Sequence, residues 1–257
     1  MRCTLPLALT FLTTLPWPRL GRADAGDLAR SLFWFPWVGG LLGLIFWGAW
    51  WVLLKTFPAA AASALLLTLT VILTRGLHLD GLADTADGLG GGRDPAERLR
   101  IMKDSRLGTF GAVAVILILL LKFALFQAWA GPGRIFLLYP IVSRWGMVFL
   151  AYLSPYARPE GGLGQAMTQG ARASTLAGAT VSAAVLSFLA YGIPGLILLT
   201  GAALAVLLLS LYFKKKLGGV TGDVLGAVGE LLEVLVLAAA LLLYLYCGPL
   251  SCPGLFW

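Results

Sequence analysis

Seven apolar runs dominate the chain, at 33–54, 59–77, 109–129, 135–153, 173–191, 194–213 and 224–246. Each is long enough to cross a hydrocarbon core about 30 Å thick as a helix, which takes about 20 residues. Between the runs stand chain-turning residues: Pro58, Gly131-Pro132-Gly133, Ser154-Pro155 and Gly192-Ile193-Pro194. With 59% apolar and only 12% charged residues over 257 positions, the chain has too little polar surface for a soluble globular enzyme, a disordered polypeptide or a disulfide scaffold. The fold class is therefore all-α, a polytopic membrane bundle of about seven transmembrane helices. Residues 5–15 (LPLALTFLTTL) are too short to span and lack a cleavage site, which predicts a short interfacial or re-entrant segment. Runs 173–191 and 194–213 are joined by almost no loop, so a helical hairpin and a re-entrant piece are both open there. The organisation reads as one transmembrane catalytic domain over 1–257, with site loops at 78–108, 154–172 and 214–223.

A net charge of +7 would suggest a nucleic-acid partner in a soluble protein. Here it follows from the gathering of Lys and Arg on the cytoplasmic side of a membrane, and no nucleic acid is expected. With the N-terminus inside, only Lys55 and Arg134 of the nineteen Lys and Arg fall outside, while Lys122 and Arg144 lie within spans. This predicts a multi-pass protein of the cytoplasmic (inner) membrane with its N-terminus in the cytoplasm and its C-terminus outside. Cys3, Cys247 and Cys252 form no metal-type pair, and an odd count is no disulfide framework. The surrounding partner is membrane lipid, and a homo-oligomer stays open.

Six of the twelve acids lie between positions 80 and 104: Asp80, Asp84, Asp87, Asp94, Glu97 and Asp104. The run 59–77 leads directly into RGLHLDGLADTADGLGGG. Asp80, Asp84 and Asp87 are spaced i, i+4, i+7, so on a helix they share one face within about 60° of arc. Three carboxylates there repel one another, and no Lys or Arg is interleaved to offset them. A divalent cation would, and oxygen-only ligands favour Mg²⁺ or Mn²⁺ over Zn²⁺. Magnesium held by few carboxylates commonly also binds substrate phosphates, and the glycines at 81, 88 and 90–92 leave room for a phosphate near the backbone. His78, the only histidine, reads first as a packed residue and second as a substrate contact. Asp94-Pro95-Ala96-Glu97 reads as a helix start with Asp94 as its cap. Lys103-Asp104-Ser105-Arg106 follows, where Lys103 and Arg106 would face phosphate oxygens.

A second site half lies far along the chain, in GGVTGDVLGAVGELLE (218–233). Asp223 is expected to cap the last helix, next to Thr221. Asp223, Gly226, Glu230 and Glu233 share one helical stripe, and ionisable residues within a span are costly and mark function. The predicted topology puts this stripe at the same membrane face as Asp80. Lys122 and Arg144 are intramembrane cations that a carboxylate such as Glu230 would neutralise. Arg158, in the loop YARPEGGLG (156–164), is a candidate anion contact.

These residues spell out a resemblance. FLTTLPWP (11–18), HLDGLADTADG (78–88) continuing into IMKDSRLGTFG (101–111), YARPEGGLG (156–164) and GGVTGDVLGAVGE (218–230) are similar to the motifs of the cobalamin-5'-phosphate synthases, the adenosylcobinamide-GDP ribazoletransferase family. HLDGLADTADG with KDSRLGTFG is the most specific part. One departure is Gly161-Gly162, where the family typically has a single glycine.

The resemblance implies an Mg²⁺-dependent membrane transferase. It would move the cobinamide phosphate of adenosylcobinamide-GDP to the 5'-hydroxyl side of α-ribazole or α-ribazole 5'-phosphate, releasing GMP. The carried-over expectations are Mg²⁺ on Asp80, Asp84 and Asp87; a proton acceptor among these, Asp104 and Asp223; and substrate contacts from His78, Lys103, Arg106, Arg158, Thr221, Asp223 and Glu230. Two other classes stand beside this one. Gly76-x3-Asp80-x3-Asp84 echoes half of the CDP-alcohol phosphotransferase signature, but the Ala-Arg of the other half is missing. A secondary transporter would need paired broken helices with midplane charges.

Overall fold

The computed structural model describes residues 4–16, 24–129 and 133–247. They are helical almost throughout, and their only strand-like pairing is an isolated parallel bridge between Tyr156 and Val220. In chain order the helices are α1 (Thr4–Leu12), α2 (Ala25–Ser31), α3 (Phe35–Thr56, entered through a 3-10 turn at Leu32–Trp34), α4 (Ala59–Thr74), α5 (Leu77–Gly91), α6 (Pro95–Ile101), α7 (Thr109–Ala128), α8 (Ile135–Leu153), α9 (Leu163–Gly170), α10 (Ala173–Leu217) and α11 (Gly222–Cys247).

Five of these units have the length and apolarity to cross a membrane: the continuous stretch Ala25–Thr56, then α7, α8, α10 and α11. Their outward faces carry large bare side chains, among them Trp51, Ile116, Leu120, Leu189 and Leu211. A belt of that extent fits lipid rather than water. The protein is thus an all-α, multi-pass membrane bundle. α1, with nine residues, is too short to span. It tucks against the bundle, and Thr14 just beyond it donates its N–H to the Leu73 carbonyl at 2.8 Å.

α8 is the central post, buried along nearly its whole length. α3 lies against it with Gly39 and Gly43 facing the Pro140 and Leu137 backbones, the small-residue approach that membrane helices use in place of a hydrophobic drive. Stacked rings of Phe46 and Tyr139 extend that contact. On the far side α10 embraces α8 with two legs. Gly192 has φ 67° and ψ −150°, outside the helical region, and Pro194 follows it. The Trp145 indole donates to Thr180 at 3.0 Å, while Val206 lies against Gly146. Thr180 and Val206 stand twelve and fourteen positions either side of Gly192, yet meet consecutive α8 residues, so the chain folds back at Gly192. Segments 173–191 and 194–213 are two antiparallel legs, the hairpin alternative.

The run 59–77 departs from expectation. α4 stops at Thr74, Arg75 and Gly76 are both left-handed (φ 56° and 62°), and α5 leaves at 87° to α4. Arg75 is the one non-glycine residue with positive φ among the described residues, a conformation that costs about 1–2 kcal/mol. The acids therefore do not continue the second span. They ride on a separate helix that runs antiparallel between α7 and α11.

Candidate active site

α5 is held on two sides. Toward α11, Gly81 meets the Asp223 backbone and His78 meets Gly226; a methyl group at Gly81 would lie 2.7 Å from the Asp223 carbonyl oxygen. Toward α7, Ala83 faces Gly111 and Asp87 reaches the helix start. At 100° per residue the strip left between these two contacts carries Asp80 and Asp84. Asp80 is exposed and Asp84 half-buried. The charged groups acting on Asp84 are Asp80, Asp223, Arg158 and Asp87. The two expected site halves thus come together where α5 crosses the first turn of α11.

Asp87 has another job. Its carboxylate oxygens accept the N–H groups of Gly108 and Gly111, each at 2.8 Å, and so satisfy donors that the first turn of α7 leaves unpaired. Each oxygen accepts one hydrogen bond, and Asp87 does not share the open strip with Asp80 and Asp84. The cap of α11 also differs from expectation: it is Thr221, whose hydroxyl oxygen accepts the Val224 N–H at 3.3 Å. Asp223, expected as the cap, instead accepts from Arg158 at 2.7 Å and from the Thr221 hydroxyl at 3.2 Å. Arg158 is delivered by the short bridge in which Ala157 and Val220 pair, N–H to carbonyl, at 2.9 Å, and its guanidinium also reaches the Met102 carbonyl at 3.3 Å.

The basic stretch after α5 is largely engaged within the protein. Asp94 caps α6 through the Glu97 N–H at 2.9 Å, as expected. Arg98 fastens the turn before α6 to the end of α10, donating to Gly92 and Lys216 carbonyls. Lys103 pairs with Glu160, a partner the sequence did not announce. Arg106 grips Asp104 through two nitrogens, at 3.0 and 2.6 Å. That side-chain bond, with the Arg106 N–H, holds the Asp104 carboxyl down at about 2. A carboxylate that acidic is a poor proton acceptor near neutrality.

His78 and Glu230 lie inside the bundle rather than on a surface. Both ring nitrogens of His78 are buried without a partner. Glu230 belongs to a four-membered charge cluster. Lys122 donates to Glu230 at 2.5 Å and to Glu233 at 2.6 Å, and Arg144 pairs with Glu233 rather than with Glu230. Two cations and two anions cancel, which makes their burial tolerable. The cluster pins α7, α8 and α11 together beneath His78, and neither residue stands open to a substrate.

Two cavities flank α5. An inner one of about 630 Å³ is lined by Asp80, Ala83, Arg75, Leu77 and Leu79 together with Thr10 and Phe11 of α1, Leu107 and Val115. An outer one of about 440 Å³ is lined by Asp87, Gly91, Arg100, Asp104, Arg106 and Gly108–Phe110. Arg75 escaped the sequence reading. Its signal was an unpaired cation at the end of an apolar run.

No three His, Cys, Asp or Glu side chains among the described residues converge as a ready-made metal site. Asp80 and Asp84 offer oxygen ligands of the kind Mg²⁺ takes, and Mg²⁺ commonly keeps waters and shares substrate phosphates instead of sitting in an all-protein cage. These two residues fit such an ion. Asp87 already accepts from Gly108 and Gly111, which leaves each of its oxygens one lone pair for a further contact.

The family profile described as cobalamin-5-phosphate synthase matches residues 4–241. An adenosylcobinamide-GDP ribazoletransferase of Syntrophobacter fumaroxidans is 45% identical over 92% of this chain and 97% of its own. Those of Desulforamulus reducens and Chlorobaculum tepidum are 41% and 42% identical, over 94% and 97% of this chain and 97% and 96% of theirs. No solved structure matches. A profile match across nearly the whole length, with relatives this similar over more than nine-tenths of it, makes the chain a member of the cobalamin-5-phosphate synthase family.

Proposed function

We propose that the protein transfers the cobinamide phosphate of adenosylcobinamide-GDP to α-ribazole or its 5'-phosphate, releasing GMP. The observation that carries this reading is the open strip of α5, where Asp80 and Asp84 stand beside Asp223 and Arg158. Carboxylates gathered beside an arginine suit a cation-bridged diphosphate. Asp80 and Asp84 would hold Mg²⁺, which when bound neutralises charge on the diphosphate and on the departing oxygen. Arg158 offers guanidinium hydrogens to phosphate oxygens on exchanging its Asp223 contact. The outer cavity, lined by Arg100 and Arg106, suits the guanosine diphosphate end of the donor.

The acceptor attacks the phosphorus that carries cobinamide. The new P–O bond forms as the bond to the GMP oxygen breaks, and a carboxylate of the cluster takes the hydroxyl proton. The 5'-hydroxyl expected from the sequence cannot be the general nucleophile. An acceptor already phosphorylated at that oxygen has none, and the family description names a 5-phosphate product. Another ribose hydroxyl serves both acceptors.

The excess of Lys and Arg on one side supports a site at the cytoplasmic face of the inner membrane, with the N-terminus inside and the C-terminus outside. The test is GMP release by purified protein in detergent with Mg²⁺, adenosylcobinamide-GDP and each acceptor. Release that requires an acceptor supports the reading; release without one, or none at all, contradicts it.

A further inference from the structure

Arg75 stands at the break between α4 and α5 in a backbone conformation that glycine adopts more readily. Its side chain is exposed and makes no ion pair or hydrogen bond with other described residues, although Asp80 lines the same cavity. The first turn of α5 opens there too, through Gly76 and Leu77, so its free N–H groups add positive potential beside the guanidinium. One corner of the cavity is therefore built for an anion.

The remaining wall is apolar: Phe11, Leu77, Leu79, Leu107 and Val115. The hydroxyls of Thr10 and Thr74 donate back to the Pro6 and Thr70 carbonyls, at 3.0 and 2.9 Å. Besides Arg75 and the Asp80 carboxylate, the lining side chains offer a base edge no free donor. At about 630 Å³ the space falls in the range of a small-molecule pocket. An apolar heteroaromatic base on a ribose phosphate matches all three properties.

We propose that this cavity is the acceptor subsite, with the aromatic base of the riboside against Phe11, Leu77 and Leu107 and its 5'-phosphate on Arg75. The inference rests on the activity proposed above and deepens it. Arg75 makes the phosphorylated riboside the preferred acceptor, while Asp80 on the same wall brings the ribose next to the carboxylate cluster.

The experiment measures KM and kcat for α-ribazole 5'-phosphate and for α-ribazole separately, in wild type, Arg75→Gly and Arg75→Lys. Glycine suits the left-handed backbone, so Arg75→Gly removes the guanidinium without straining the turn. Losing a charge-assisted contact should raise KM for the 5'-phosphate about tenfold or more, with KM for α-ribazole unchanged and Arg75→Lys in between. Titration calorimetry with α-ribazole 5'-phosphate alone reads the same loss in Kd without turnover. Equal changes for both acceptors, or no change for either, overturn the subsite while leaving the activity standing. A wild-type protein inactive with both acceptors overturns the activity itself.

Discussion

Arg158 and Asp223, sixty-five positions apart, meet at 2.7 Å where the 155–158 segment crosses the first turn of α11. The pair is partly buried and adjoins Asp84, so it does more than an exposed ion pair would. Truncating Arg158→Ala leaves Asp223 uncompensated beside Asp84. We expect a loss of about 1–3 kcal/mol in stability, read from unfolding in detergent, together with a higher KM for the donor. Adding Asp223→Asn should recover part of the stability and none of the KM.

The buried quartet predicts strong non-additivity. Lys122→Met strips both Glu230 and Glu233 of one partner and should cost about 3–5 kcal/mol. Lys122→Met with Glu230→Gln leaves Arg144 balanced by Glu233 and should be more stable than Lys122→Met alone. Detergent unfolding of the two single variants and the double variant reads the difference.

Gly81 sets the approach of α5 to α11. Gly81→Ala places a methyl group 2.7 Å from the Asp223 carbonyl and 2.9 Å from its Cα, so the helices must separate. The expected outcome is at least about a tenfold fall in kcat with secondary structure kept, because shifts near 1 Å at a catalytic constellation cost that much or more. Circular dichroism beside GMP release separates misplacement from unfolding.

Asp104 supplies a pH prediction. Its pKa in the folded protein, about 2, lies below the ordinary 3.8, so the Asp104–Arg106 pair is fully formed above the ordinary value and lost as pH falls through about 2. Asp104 is ionised throughout the neutral range, and Asp104→Asn should move no inflection of the pH–rate profile there. A shifted basic or acidic limb would restore Asp104 as the proton acceptor.

Much of this was legible in the residues. Apolar run length supplied α3, α7, α8, the two legs of α10 and α11 but missed the break within 59–77, and the spacing of Asp80 and Asp84 supplied the open strip. Asp94 as a cap followed from Asp-Pro-x-Glu. What escaped depended on contacts remote in sequence. Nothing local says that Asp87 would reach Gly108 and Gly111, or that Arg144 would choose Glu233 over Glu230, since both of those carboxylates share one stripe of α11. The 87° bend at Arg75-Gly76 was hidden because an arginine is not expected in a left-handed turn. The α11 cap was misplaced by two residues, because Thr221 and Asp223 are both good capping types and only Arg158, recruited from afar, decides between them.

We propose that Asp84, in the open strip between α7 and α11, acts on the diphosphate through Mg²⁺. The direct measurement is acceptor-dependent GMP release by Asp84→Asn across a Mg²⁺ titration, beside wild type. The expected result is a loss of more than about 100-fold at ordinary Mg²⁺, with a raised Mg²⁺ requirement. Turnover near wild type with an unchanged Mg²⁺ requirement would contradict it.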